Sequence, residues 1–139
     1  MAYTGLKFLQ SDNSRNWASL ALRLSAALML LHGWPKFMGF GEKSTDFADP
    51  IGIGPAGSLA LTIFAEVFCT AFVVVGLFTR VATIPLIICM GVAALFVHSG
   101  DPLADREAAL SYLMLYIAIF FLGGGRFSAD NYLRKNSKF

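Results

Sequence analysis

The chain has 139 residues, 56% of them hydrophobic and only 14% charged, with a mean hydropathy of +0.62. A soluble domain carries about 25% charged residues. Here the apolar residues form four blocks that, with their loops and tails, use up the chain, so a separate soluble domain is excluded. A net charge of +2, with no basic stripe interleaved with aromatics, gives no support for nucleic acid as a partner. Cys69 and Cys89 form no C-x-x-C, so neither a thioredoxin-like motif nor a zinc knuckle is supported.

A spanning helix needs about 20 apolar residues. The expected fold is therefore all-α, an integral membrane bundle of four transmembrane helices at about 17–38, 57–78, 81–97 and 105–122 within a membrane domain of residues 17–125. Residues 1–16 are polar with scattered apolar side chains and suit an interfacial cytoplasmic segment, although Gly5 weakens any helix there. They lack the charged head, apolar core and cleavage site of a signal peptide, so the first helix is expected to act as an uncleaved insertion signal. Trp17 is an interfacial anchor. Between the first two helices, Asp49-Pro50, Gly52, Gly54 and Pro55 break the chain. Thr79-Arg80 is the expected tight turn between the second and third helices. Asp101 (with Pro102 following) or Asp105 is the expected cap of the fourth. Gly123-Gly124-Gly125 ends that helix, and 126–139 is a basic cytoplasmic tail.

Orientation follows from the lysines and arginines flanking the helices. If both termini and the Thr79-Arg80 turn are cytoplasmic, that side holds eight basic residues and the other holds only Lys36, Lys43 and Arg106. The four helices are then expected to leave both the N and the C terminus inside.

Ionisable groups inside hydrocarbon need a partner, an interface or a job. Glu66 lies about 18 Å from the cytoplasmic end of the second helix, near mid-membrane, with Thr62 and Thr70 one turn to either side. It reads equally as a proton acceptor or ligand contact and as half of a buried ion pair locking two helices. Arg23 and His32 are its candidate partners. Nine residues place them on opposite sides of one helix, so both cannot point at the same neighbour. Arg23 alone also reads as an interface anchor. Lys36 shares a face with His32, and His98 and Glu107 are expected at the same outer depth. With Trp34, these residues can line an outward-facing pocket whose donors suit a quinone headgroup, with His32, Trp34 and Lys36 as its contacts. The plainer reading is that they sit at headgroup level. A bis-histidine haem or metal site from His32 and His98 is disfavoured, and no metal is expected. Cys69 and Cys89 are read as packing residues, and Phe64, Phe68, Phe72 and Phe78 as core and lipid contacts.

Four stretches together resemble the DoxX family of small four-helix bacterial membrane proteins. They are the LRL around Arg23, HGWPKFMGFG from His32 to Gly41, FAEVFCTAFVVVGLFTR from Phe64 to Arg80, and GGGRFSAD from Gly123 to Asp130. The residues that match are Arg23, His32, Lys36, Glu66 and Arg80. The resemblance implies an association with membrane redox chemistry, since the family is named for a subunit linked to quinol oxidase and thiosulfate:quinone oxidoreductase complexes, and relatives are tied to oxidative-stress complexes. The leading expectation is an accessory subunit of a quinone-linked complex, with no catalytic residue of its own identified. The rivals are a structural or assembly subunit and a small proton-coupled transporter using Glu66. The expected partners are the lipid bilayer and either a second copy or redox subunits.

Overall fold

The structure is a computed structural model that describes residue 7 and residues 11–137, and among these every regular element is helical. Helix α1 (Asp12–Ala26) begins five residues before the expected start, because Ser11 caps it by accepting from the Ser14 N–H and Asp12 lies in its first turn. A 3₁₀ turn at Ala27–Met29 tightens the rod before it continues as α2 (Leu30–Met38). After the short α3 (Phe40–Lys43), Asp49 organises the loop by accepting from the Ile53 and Gly54 N–H groups and the Ser58 hydroxyl.

Pro55 occupies the first position of α4 (Pro55–Ile63), where its missing N–H costs nothing. The helix widens into a π-helical segment at Phe64–Cys69 and resumes as α5 (Thr70–Val75). Gly76 then takes the left-handed conformation (φ +79°), with Leu77 N–H on Phe72 O and Gly76 N–H on Val73 O. This Schellman closure stops the helix three residues short of the expected Phe78. The turn is thus Gly76–Phe78 and not Thr79-Arg80, which already belong to α6 (Thr79–Val92).

A second π-helical segment, Ala93–Val97, ends α6, and α7 spans Leu103–Leu122. Pro102 stands at its N-cap position without a side-chain cap, so neither expected capping acid is used. Asp101 is instead held by His98. The chain past Gly123 is not a plain tail but forms α8 (Ala129–Asn136), capped by the Ser128 hydroxyl on the Asn131 N–H. Most of the interfacial segment expected over residues 1–16, namely residues 1–6 and 8–10, lies outside the described residues, as do the last two residues of the basic tail.

Two rods, Pro55–Val75 and Thr79–Val97, are long and apolar enough to cross a membrane. A small core joins them to α1 and α7 through Ala26, Met29, Val73, Leu86, Tyr116 and Ile119. Around it, large apolar side chains such as Leu24, Leu31, Phe64, Phe72, Ile88 and Phe121 are exposed. A soluble surface does not carry such a continuous apolar coat, whereas a lipid-facing one must.

Candidate functional site

The sequence left Glu66 between two partners, and the structure gives it a third. The Lys36 ammonium donates to both carboxylate oxygens, at 2.7 Å to Oε1 and 2.6 Å to Oε2. Neither Arg23 nor His32 touches it. Depth counting placed Lys36 at headgroup level, but its four-carbon stem reaches along α2 toward the bundle. Two local features bring the groups together. Glu66 sits in the π-helical segment, a conformation enriched at functional sites. Gly33 lets α2 approach it, since a Cβ there would stand 2.8 Å from Glu66 Cβ and 2.9 Å from Val67 Cγ2. Gly33→Ala is expected to push the helices apart and destabilise the fold by about 1–3 kcal/mol, checked by thermal unfolding in mild detergent.

The pair is asymmetric: the Glu66 side chain is only 4% exposed, that of Lys36 27%. Two of the ammonium's three N–H donors are used, which leaves one for another acceptor. His32 is exposed and meets Tyr112 edge-on at 5.7 Å, and Tyr112 stacks on Tyr116. Trp34 and Phe37 lie 5.6 Å apart, and Phe37 meets Phe68 edge-on at 6.2 Å. One turn from Glu66 the Thr70 hydroxyl is enclosed, and the enclosed Tyr116 hydroxyl of α7 is its polar neighbour.

The expected outer pocket is only partly assembled. The Asp101 carboxylate lies 2.7 Å from His98 Nδ1, as acceptor for that ring nitrogen, and Glu107 is exposed. Neither His98 nor Glu107 bonds to Lys36, and no bond or ring contact joins His32 to His98 among the described residues. Cys69 and Cys89 are free, with Cys69 in the core. The phenylalanines Phe64, Phe68, Phe72 and Phe78 are all exposed on the apolar coat.

Arg23 is not an interface anchor. It is 2% exposed, and its guanidinium binds four backbone carbonyls. Nε donates to Val73 O (2.9 Å), Nη2 to Val74 O (2.8 Å), and Nη1 to Gly124 O (2.8 Å) and Phe127 O (2.9 Å). It therefore caps the last carbonyls of α5, that of Val74 and, beside the Gly76 N–H, that of Val73, and ties them to the chain after α7. Nearby, Ser19 donates to Gly123 O, and Arg80 donates to Phe121 O. Asp130, which the sequence reading did not single out, accepts from the Phe78 and Thr79 N–H groups and the Thr79 hydroxyl, capping α6 from a distance of 51 residues. Its signal was present as the last residue of GGGRFSAD.

Burial works to raise the Asp130 carboxyl, but the Thr79 and Phe78 amides, the Thr79 hydroxyl and the Arg23 charge together hold it below its ordinary value. A carboxyl lowered in the folded state stabilises above its unfolded pKa, and that contribution disappears as pH falls through the folded value. The unfolding temperature is therefore expected to decline on titration from neutral pH toward about pH 3, and Asp130→Asn to start lower and flatten that decline.

The fold and these contacts define a helical membrane protein that has, among the described residues, one internal ion pair and an arginine-centred joint between helix ends. The chain belongs to the DoxX family: the family model described as DoxX matches residues 18–99. A Haemophilus influenzae protein, described as uncharacterized, is 32% identical over 79% of this chain and 86% of its own length. No solved structure matches the chain.

Proposed function

We propose that the chain is a four-span inner-membrane subunit with both termini cytoplasmic, serving as an accessory component of a quinone-linked redox complex. The observation that carries this reading is the Lys36–Glu66 pair, a buried carboxylate whose cation keeps one donor unspent at a partly open edge. A quinone carbonyl is an acceptor of the right kind for that donor, and the exposed rings of Trp34, Phe37 and Phe68 offer an apolar flank continuous with lipid. The residues present thus fit a quinone headgroup. Lys36 would hold one carbonyl and Glu66 would keep the ammonium charged and oriented, while the electrons come from the partner oxidoreductase. The orientation is supported by the gathering of Arg15, Arg80, Arg126 and Arg134 at the end that carries the start of α1 and all of α8.

Purification from native membranes in mild detergent, with mass spectrometry of copurifying lipids and proteins, tests this. A quinone and an oxidoreductase subunit retained by the wild type, with the quinone alone lost in Lys36→Met, is the expected result. A clean preparation carrying neither overturns it. A structural role is the second reading, favoured by the engagement of both Glu66 oxygens and the close approach at Gly33. It predicts that the partner subunit copurifies without quinone.

A further inference from the structure

At the end of the molecule where α1 starts and α8 lies, the chain forms an open groove of about 780 Å³. Five cations line it: Arg15, Arg80, Arg126, Arg134 and Lys135. The carboxylates there are Asp12 and Asp130, so the groove keeps an excess of positive charge. Asp130 has its oxygens committed to the α6 cap. Asp12 sits 3.7 Å from Arg15 in an exposed pair, which neutralises little. Arg80 and Arg134 are steered by neutral oxygens, those of Phe121 and Asn131. Arg126 and Lys135 have no side-chain hydrogen bond or ion pair among the described residues. The wall between them is Gly123-Gly124-Gly125, with Gly123 and Gly125 at φ +74° and +69°, and the Arg80 side chain lies against Gly123, where a Cβ would stand 3.2 Å from its Nε.

A concave site with uncompensated guanidinium and ammonium groups is built to take a phosphate-bearing anion. Its rim says which source supplies the phosphate. Trp17 packs on Phe127 at 4.8 Å, and the exposed Tyr132 and Leu133 lie on α8 beside the cations. Aromatics and apolar side chains next to basic ones are the composition of an interfacial helix. We infer that this groove binds the headgroup of an anionic phospholipid, with Arg126 and Lys135 as its free cations and α8 lying on the membrane surface.

The test uses the full chain in mild detergent, with short-chain phosphatidylglycerol, short-chain phosphatidylcholine and inorganic phosphate as separate probes. Binding is followed by Trp17 fluorescence and by the rise in unfolding temperature. Phosphatidylglycerol is expected to bind and stabilise, and phosphatidylcholine to do neither. Arg126→Gln/Lys135→Gln removes two charges that make no internal side-chain bond, so the fold is retained. Its affinity for phosphatidylglycerol is expected to fall about thirtyfold, at roughly fivefold per charge. Equal binding of the two lipids, or wild-type affinity in the double variant, overturns the site. Inorganic phosphate matching phosphatidylglycerol overturns the lipid assignment. The readout involves no quinone, so it stands or falls separately from the redox reading.

Discussion

Arg23→Lys is expected to destabilise the folded protein by about 3–5 kcal/mol, as large an effect as Arg23→Ala. Lysine keeps the charge, but one ammonium with three donors cannot reach four carbonyls placed around a planar guanidinium. Each enclosed carbonyl left without a donor costs about 1–3 kcal/mol. The damage is not local, because Val73 and Val74 end one rod while Gly124 and Phe127 follow another. The measurement is thermal unfolding in detergent, read beside limited proteolysis of the Gly123–Ser128 stretch. Unchanged unfolding in Arg23→Lys would show that the positive charge matters and the forked geometry does not.

Lys36→Met is expected to cost about 2–3 kcal/mol, and Lys36→Met combined with Glu66→Gln much less. Removing the cation strands a carboxylate that is only 4% exposed on the protein's interior. Removing both charges leaves two uncharged groups of similar shape, and buried pairs replaced whole are often neutral in stability. The figure sits below that of a fully enclosed pair because Lys36 is 27% exposed and partly screened. A double-mutant cycle on unfolding temperature gives the coupling directly. Single and double variants of equal stability would mean that the pair is adjacent but not coupled.

Much of the helical framework was legible in hydropathy alone. The four apolar blocks correspond to the α1–α2 rod, the α4–α5 rod, α6 with its π extension, and α7. The helix ends were less so, although the Gly76 stop carries a recognisable signal: an apolar run followed by glycine. The identity of the Glu66 partner was not legible. It depends on how closely α2 and the π segment cross, which Gly33 permits but which no periodicity encodes. Arg23 was misread for a different reason. Its partners are backbone carbonyls from residues 50 to 104 positions away, and a carbonyl leaves no mark in a sequence. Three of the motif stretches that pointed to the family turn out to be neighbours in space, since the LRL, GLFTR and GGGRFSAD segments meet in one joint.

The widened turn at Phe64–Cys69 has a consequence for how this chain can change length. Thr70 N–H reaches back five residues to Ala65 O, so the rod holds one residue more than an α-helix of the same rise. Deleting a single residue there would restore ordinary pitch and leave the stretches on either side in phase, because the bulge is what absorbs the extra residue. Val73 and Thr70, fully enclosed now, would stay enclosed, whereas a deletion in the α-helical turn before the bulge would rotate them by about 100° toward lipid and bring the helix end to Arg23 in the wrong phase. A deletion in the loop at 44–49 would likewise change no such phase. Insertions and deletions among relatives are thus expected to collect at the bulge and in that loop and to avoid the α-helical turns.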